Sequence, residues 1–142
     1  MTEAKELAER DVRAFNEQDM EAKLAISSPD LMFVVPGATM RGIEEASGFA
    51  RSLWEAFPDG HIACREDVAD GTRAALEGTF SATHVGTLRT PGGDIAATGA
   101  RVELPCVLFY GVDGGRIVSK HFYFDRVELL TQIGAMPAPA PA

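Results

Sequence analysis

Basic residues are scarce in this 142-residue chain, which has 13 lysine and arginine residues against 21 aspartate and glutamate residues. The resulting net charge of −8 and pI near 4.8 oppose contact with a phosphate backbone, so we expect no nucleic-acid partner. The chain also lacks a run of about 18 apolar residues, and its first residues lack the basic and then apolar profile of a signal peptide. We therefore expect a cytoplasmic protein with no membrane partner.

Cysteine and histidine are sparse as well. Cys64 and Cys106 both fall in strand-like segments, and two cysteines in a reducing compartment are expected to be free, buried thiols. The histidines are His61, His84 and His121, and no two of them have the i,i+2 or i,i+4 spacing of a specific metal motif. The sequence therefore predicts no metal site and no other cofactor.

A chain of this length, with 46% hydrophobic residues, can bury one core and is too short for two ordinary domains. We expect a single domain over residues 1–134, followed by a flexible tail rich in Ala and Pro at 135–142. The predicted helices are 3–18, 19–26, 42–57 and a short one around 129–133, and the predicted strands are 31–35, 62–68, 73–88, 98–112 and 116–124. Helices followed by an antiparallel meander indicate an α+β arrangement.

The last predicted strand places polar side chains on one face, because side chains alternate sides along a strand. These are Ser119, His121, Tyr123 and Asp125. A two-residue turn at 113–114 or 114–115 would set them beside the apolar residues Val102, Leu104, Cys106, Leu108 and Tyr110. A three-residue turn at 113–115 would set them beside Arg101, Glu103 and Phe109 instead. We favour the two-residue turn, which gathers the apolar side chains around one cavity.

Asp125 is the candidate catalytic residue, because desolvation in an apolar wall raises a carboxyl pKa and lets it exchange protons near neutral pH. With Glu128 three positions later, the same residue also fits a helix N-cap. On the same face, His121 and Tyr123 would orient or polarise substrate oxygens, and strand parity points His84 inward too. For each histidine, the alternative is a core hydrogen bond to the backbone.

Aromatic residues suggest one binding surface and one interface. The candidates for the floor of a pocket are Trp54, Phe33 and Phe57, although aromatic residues at helical spacing also fit a packed core. The opposite face of the sheet is predicted to carry Phe109, Phe122 and Phe124. An exposed aromatic sheet face of this kind predicts a homodimer.

Six stretches of the chain carry a family resemblance. They are SPD through PG at 28–37, AFPD at 56–59, GT through THVG at 78–86, TG through VELP at 98–105, DGGRI at 113–117 and FD through LLTQIG at 124–134. Together they resemble the SnoaL-like polyketide cyclases, within the superfamily typified by nuclear transport factor two. The resemblance implies a cone-shaped, curved, mixed or antiparallel sheet wrapped around a pocket, with N-terminal helices closing one side.

The same resemblance implies a cofactor-independent enzyme that closes rings by an aldol-type step, or a related lyase or isomerase, on a hydrophobic, polyketide-like carbonyl compound. Asp125 corresponds to the acid/base carboxylate of that family. We expect no lysine in the pocket, because Lys5 and Lys23 fall in the N-terminal helices and Lys120 points away from His121. The aldol step would then pass through an enol or enolate and not through a Schiff base.

Two alternative functions remain open. Arg101-Val102-Glu103 is similar to the Arg-x-Asp pair of limonene-type epoxide hydrolases, although the favoured turn puts this pair on the face opposite Asp125. The other alternative is a non-catalytic module that binds a small apolar molecule.

Overall fold

The computed structural model describes residues 3–136, and the elements are numbered in chain order. The helices are α1 (Glu3–Asn16), α2 (Met20–Ala25), α3 (Ile43–Ala56) and α4 (Arg126–Gln132). The strands are β1 (Ser27–Val35), β2 (Ala38–Arg41), β3 (His61–Ala69), β4 (Arg73–Thr83), β5 (Leu88–Thr90), β6 (Gly93–Ile95), β7 (Arg101–Asp113) and β8 (Arg116–Phe124). The predicted tail falls at 135–142, and its residues 137–142 lie outside the described part of the chain.

Six strands form one curved, unclosed sheet in the order β2-β1-β8-β7-β4-β3, and the N-terminal helices cover its concave face. Neighbouring strands are antiparallel except β1 and β8, which pair in parallel. The predicted α+β fold, a curved mixed sheet closed on one side by helices, is therefore confirmed. The buried residues of β4 and β7 alternate strictly with exposed or half-buried ones, as expected for a sheet with one covered face.

The predicted strand 73–88 ends early, at Thr83. The carboxylate of Asp59 accepts hydrogen bonds from the Thr83 amide and hydroxyl, both at 2.8 Å. The amides of Val85 and Gly86 then donate to the carbonyl oxygen of Ala56 at the end of α3, both at 3.1 Å. These bonds draw the chain off the large sheet, and β5 and β6 form a separate two-stranded hairpin that the sequence did not predict.

The turn between β7 and β8 is the predicted two-residue turn. Asp113 pairs with Arg116, and Gly114 and Gly115 have φ values of +58° and +77°. Positive φ at both central positions is the conformation that a tight hairpin needs and that glycine adopts without steric cost.

A β-bulge just after this turn reverses the predicted faces of β8. Val112 pairs with Ile117 but Gly111 pairs with Ser119, so Val118 is an extra residue in β8. Beyond the bulge, Lys120 pairs with Tyr110. Because side chains alternate with a period of two, one extra residue moves every later side chain to the other face. The predicted inward placement of Ser119, His121 and Tyr123 is therefore wrong, and Lys120 and Phe122 face the helices instead.

Asp125 leaves β8 and caps α4. Its backbone is extended, with φ −88° and ψ 112°, and Oδ1 accepts hydrogen bonds from the amides of Val127 at 2.9 Å and Glu128 at 3.2 Å. The helix ends at Gln132 with Ile133 as its C-cap, and Gly134 follows with a positive φ of +79°, as predicted. The N-cap alternative for Asp125 is confirmed.

The cap can be tested by comparing two substitutions. Asp125→Ala removes the acceptor for two amides and is expected to lower the free energy of unfolding by about 1 kcal/mol. Asp125→Asn keeps a side-chain oxygen at the same place. It is expected to change the free energy of unfolding by only about a few tenths of a kcal/mol. Urea denaturation followed by circular dichroism measures both, and equal losses in the two variants would contradict the capping role.

Candidate functional site

An interior cavity lies between the concave face of the sheet and helices α1, α2 and α3. Its lining is mostly aliphatic and aromatic, and the polar side chains among its lining residues are Asp11, Lys23, Ser27, Ser47 and Lys120. A volume of about 40 Å³ is open to the centres of water-sized spheres. One water molecule needs roughly 10–15 Å³ on this measure, so the cavity admits a few water molecules or a small organic group.

Four polar residues from four elements meet at this cavity and form what we call the Asp11 cluster: Asp11 of α1, Lys23 of α2, Tyr110 of β7 and Lys120 of β8. Asp11 Oδ1 lies 2.8 Å from Lys23 Nζ, and Oδ2 lies 2.6 Å from Lys120 Nζ. The Tyr110 hydroxyl donates to the same Oδ2 at 2.8 Å. One carboxylate thus accepts from three donors.

Aromatic rings surround the two ammonium groups. Lys120 Nζ lies 4.9 Å from the ring centroid of Phe33 and 5.8 Å from that of Tyr110, and Lys23 Nζ lies 5.8 Å from that of Phe15. These distances are typical of cation–π interactions. Such interactions partly replace the hydration that the two ammonium groups lose on burial.

Burial and neighbouring charges set the ionisation of the Asp11 cluster. Burial alone would raise the pKa of Asp11, but Lys120 and Lys23 outweigh it and hold that pKa well below its usual value. Burial lowers the pKa of Lys120 from 10.5 to about 8, with Lys23 also lowering it and Asp11 opposing the change. Burial and the Asp11 charge raise the pKa of Tyr110 well above 10.0. Asp11 is therefore an anion, Tyr110 a neutral hydroxyl, and Lys120 a group that can gain or lose a proton.

The charges of the Asp11 cluster do not cancel. Two lysines face one carboxylate, so with both amines protonated the cavity lining carries one excess positive charge in an apolar setting. Burying an unpaired charge is costly, so the surroundings favour either a neutral amine at Lys120 or an anion brought by a ligand. A neutral amine can accept a proton, and an excess positive charge can bind an anionic ligand.

The structure places Asp125, His121 and Tyr123, all predicted to face the pocket, outside the cavity. Asp125 is exposed, and its carboxylate caps the N-terminus of α4. The sequence predicted that this side chain points inward. His121 and Tyr123 lie on the outer face of the sheet, where His121 Nδ1 and the Tyr123 hydroxyl are 2.6 Å apart. His121 and Tyr123 lie on the outer face because the bulge at Val118 reverses the predicted faces of β8.

His84 points inward, as parity predicted, but not into the cavity. It is fully buried, its Nδ1 lies 3.1 Å from the Thr98 hydroxyl, and its ring packs 5.5 Å from Phe57. Burial lowers its pKa below 6.5, and the backbone of Gly86 acts in the opposite direction. These contacts fit the core-hydrogen-bond alternative and do not bring His84 to the Asp11 cluster.

Of the predicted aromatic floor, only Phe33 lines the cavity; it packs edge to face with Phe49, at 5.3 Å between ring centroids. Trp54 packs against Phe15, and its indole nitrogen donates to the Phe15 carbonyl oxygen at 3.1 Å. Phe57 packs between Phe80 and His84. The last two belong to the core rather than to the cavity wall.

Arg101, Glu103 and the two cysteines lie away from the cavity. Arg101 and Glu103 are exposed and face away from the cavity, and Arg101 pairs with Asp59 at 3.4 Å. Both cysteines are free; Cys106 is buried as expected, but Cys64 is exposed on β3.

Residues 3–136 contain no group of three or more His, Cys, Asp or Glu side chains placed to hold a metal ion. No helix in that range is long and apolar enough to cross a membrane.

The sequence contained a signal for Asp11 that we missed. Asp11 lies on the apolar face of α1, four residues after Leu7 and four before Phe15, where a charge is unusual. For Lys120 the signal is weaker: the apolar residues Ile117 and Phe122 are five apart, a spacing that a regular strand cannot place on one face.

A model of the SnoaL-like domain family matches residues 8–120, which is most of the chain. The chain belongs to the SnoaL-like domain family. A comparison with curated proteins gives no match. The resemblance found in the sequence is therefore confirmed.

Solved structures extend this result. A proposed polyketide cyclase from Pseudomonas putida KT2440 is 27% identical, with 94% of this SnoaL-like chain and 98% of that chain covered and a TM-score of 0.81. AclR from Streptomyces galilaeus, a proposed hydroxylase, is 25% identical, with 97% and 85% covered and a TM-score of 0.80. A proposed SnoaL-like polyketide cyclase from Jannaschia sp. CCS1 has a TM-score of 0.83 with 95% and 94% covered, and at 19% identity it shows the shared fold alone.

The Asp11 cluster of this SnoaL-like protein makes a stability prediction. Asp11→Asn leaves two buried lysines without their counterion and is expected to lower the free energy of unfolding by about 3–5 kcal/mol at pH 7. Adding Lys120→Met removes one of the unpaired charges, so the double variant is expected to be more stable than Asp11→Asn alone. Urea denaturation measures both, with Asp30→Asn at an exposed position as the matched control.

The pH dependence of the free energy of unfolding also tests the ion pairs of Asp11. The folded protein holds the pKa of Asp11 below its usual 3.8, so the stabilisation is complete above that pH and is lost as the pH falls further. The stability difference between the wild type and Asp11→Asn should therefore shrink below pH 3.8. A difference that does not depend on pH would contradict the ionic role of Asp11.

Proposed function

We propose that this protein is a cofactor-independent acid/base enzyme of the cyclase or isomerase type, acting on a small hydrophobic carbonyl compound through its enolate. The observation that carries the proposal is the Asp11 cluster, a buried group of ionisable side chains on the wall of an apolar cavity. The cyclase named among the relatives and the membership of the SnoaL-like family support the same class of chemistry.

Charge balance favours an enolate. The cavity lining holds two ammonium groups and one carboxylate, so a bound enolate brings the count to two positive and two negative charges. Before the transfer, neutral Lys120 leaves the charges of Lys23 and Asp11 balanced beside the neutral ketone, so proton transfer to Lys120 creates the enolate and a second ammonium partner together, without a net change of charge. The site would then stabilise the reacting state more than the bound substrate, which is the requirement for catalysis.

Three members of the Asp11 cluster, Asp11, Lys23 and Lys120, have a role in this scheme. Neutral Lys120 takes the proton from the carbon next to the carbonyl group and returns it as the ammonium ion. The ammonium of Lys23 stabilises the enolate oxygen. Asp11, whose pKa is too low for a base, positions both amines, and Phe33 contacts the apolar part of the substrate. Lys120 suits the task because a general base works best with a pKa near the working pH.

The volume of the cavity bears on the substrate. Because only about 40 Å³ is open to the centres of water-sized spheres, the cavity accommodates the reacting end of a compact molecule better than a long poly-β-ketone chain. An epoxide hydrolase of the limonene type is less well supported, because Arg101 and Glu103 face away from the cavity. A non-catalytic binding module is the outcome to be distinguished by experiment.

Hydrogen exchange tests the proposal without knowledge of the natural substrate. Ethyl 2-methylacetoacetate has one hydrogen between two carbonyl groups, and its replacement by deuterium in D₂O can be followed by proton NMR. We expect the protein to accelerate this exchange, and the rate to rise with pH through about 8 as Lys120 loses its proton. Lys120→Met is expected to lose at least about 100-fold of the enzymatic rate, the usual contribution of a general base.

The controls separate the alternatives. Lys5→Met alters an exposed residue of α1 that pairs with Asp67, and it should leave the exchange rate unchanged. Exchange that persists in Lys120→Met but disappears in Asp125→Asn would return the acid/base role to Asp125. Saturable binding of the probe without exchange would identify a binding module.

We also propose that the outer sheet face pairs with a second copy of the chain. Phe109 and Tyr123 are 38% and 49% exposed there, beside His121 and Arg73. The residues that line the patch include no carboxylate, and the nearby acidic residues Glu77 and Asp125 lie beyond Tyr123 at its edge. The patch differs from the predicted one, because Phe122 faces the cavity and Phe124 is only half-exposed.

Sedimentation velocity tests the dimer. We expect the wild type to sediment as a dimer and Tyr123→Glu as a monomer, because the substitution places a charge in the apolar patch. Val85→Glu introduces the same charge at another exposed apolar residue and should leave the dimer intact. A wild type that sediments as a monomer would refute this interface.

A further inference from the structure

We propose that Lys120 is a covalent nucleophile, which forms a Schiff base with an aldehyde or small ketone bound in the interior cavity. The inference rests on the proposed function in one respect, since the same class of carbonyl compound must enter. It goes beyond it because the carbonyl carbon becomes bonded to the protein. It also reverses the expectation from the sequence that no lysine reaches the pocket.

Geometry is the first support. The bulge at Val118 turns Lys120 to the concave side, where its amine lies against an apolar wall with Phe33 and Tyr110. Lys120 is a buried residue that lines the cavity, whereas the side chain of Lys5 is 43% exposed on α1. A carbonyl compound in this cavity therefore meets the amine in a site with little competing water.

The neighbours of Lys120 provide the second support. The ionisable groups that face it are Asp11 from α1, Lys23 from α2 and Tyr110 from β7, and the wall from β1 is the ring of Phe33. Burial and the adjacent ammonium of Lys23 both favour the neutral amine, and Asp11 opposes them. An apolar setting beside a second cation is the usual means of activating a lysine for imine formation.

The step balances within the Asp11 cluster. The nitrogen lone pair of neutral Lys120 forms the new C–N bond, and the π electrons of the carbonyl group move to its oxygen. That oxygen takes one proton from the attacking nitrogen and a second from the Lys23 ammonium, and it leaves as water. The product is an iminium ion that retains one N–H, next to a neutral Lys23.

The step also keeps the charges of the Asp11 cluster balanced. The iminium is the only cation left in the cluster once Lys23 has given up its proton, and it faces the single anion, Asp11. Asp11 Oδ2 already lies 2.6 Å from Lys120 Nζ and can accept the N–H of the iminium. Because the iminium withdraws electrons, the neighbouring carbon then loses a proton more readily than in the free ketone.

Reductive trapping tests the inference on the wild-type protein. The protein is incubated with butanone and sodium cyanoborohydride, which reduces an imine to a stable secondary amine, and the modified lysines are identified by peptide mass spectrometry. The chain has three lysines, so Lys5 and Lys23 serve as internal references. Because the comparison lies within one folded protein, it does not depend on any variant.

We expect Lys120 to be modified at least about tenfold faster than Lys5 at pH 7, because burial lowers the pKa of Lys120 from 10.5 to about 8 and so raises its fraction of neutral amine. Modification of Lys120 should rise with pH and level off above about 8. Equal modification of Lys5 and Lys120, or modification confined to Lys23, would overturn the assignment. Absence of any modification at Lys120 would leave it as a purely structural ion-pair partner and would also overturn it.

Oxygen exchange distinguishes failure of this inference from failure of the proposed function. Imine formation and hydrolysis replace the carbonyl oxygen of butanone with oxygen from H₂¹⁸O, whereas enolate formation does not. Deuterium exchange without ¹⁸O incorporation would support the acid/base function and refute the Schiff base. Incorporation of ¹⁸O that is lost in Lys120→Met and retained in Lys5→Met would support the Schiff base.

Discussion

The carboxylate of Asp11 is the interaction on which the rest of the site depends. It joins α1, α2, β7 and β8 through three donors, and each of these elements contributes a wall of the cavity. A buried ion pair of this kind adds little net stability compared with apolar packing, because desolvation offsets the attraction between the charges. What it provides is a fixed position for two amines in an apolar space.

The fold follows from the sequence to a large extent because its determinants are local or periodic. The apolar faces of α1 and α3, the Asp19 cap of α2 and the Gly114-Gly115 turn are read within a few residues of where they act. Two departures have nonlocal causes: β4 ends where Asp59, distant in the chain, binds Thr83, and β1 begins at Ser27 because it pairs with β8. Neither partner can be inferred from the residues next to it.

The site was less predictable than the fold. A one-residue offset within a strand reverses the predicted face of every later side chain in that strand. The turn was correct, yet a single unpaired residue at Val118 placed His121 and Tyr123 outside and Lys120 inside. Asp125 is a carboxylate that follows an apolar strand, and its capping role accounts for that position. The residues that do meet come from four elements, and their meeting depends on tertiary packing that pattern analysis does not resolve.

The bulge at Val118 links the two surfaces of β8. The same extra residue that directs an amine toward the cavity directs an imidazole and a phenol toward the opposite side of the sheet. Insertion or deletion of one residue between the turn and Ser119 would exchange these two sets of side chains together. Relatives that differ in length at this position would thus share a backbone while presenting different chemical groups, both to a ligand and to a neighbouring subunit.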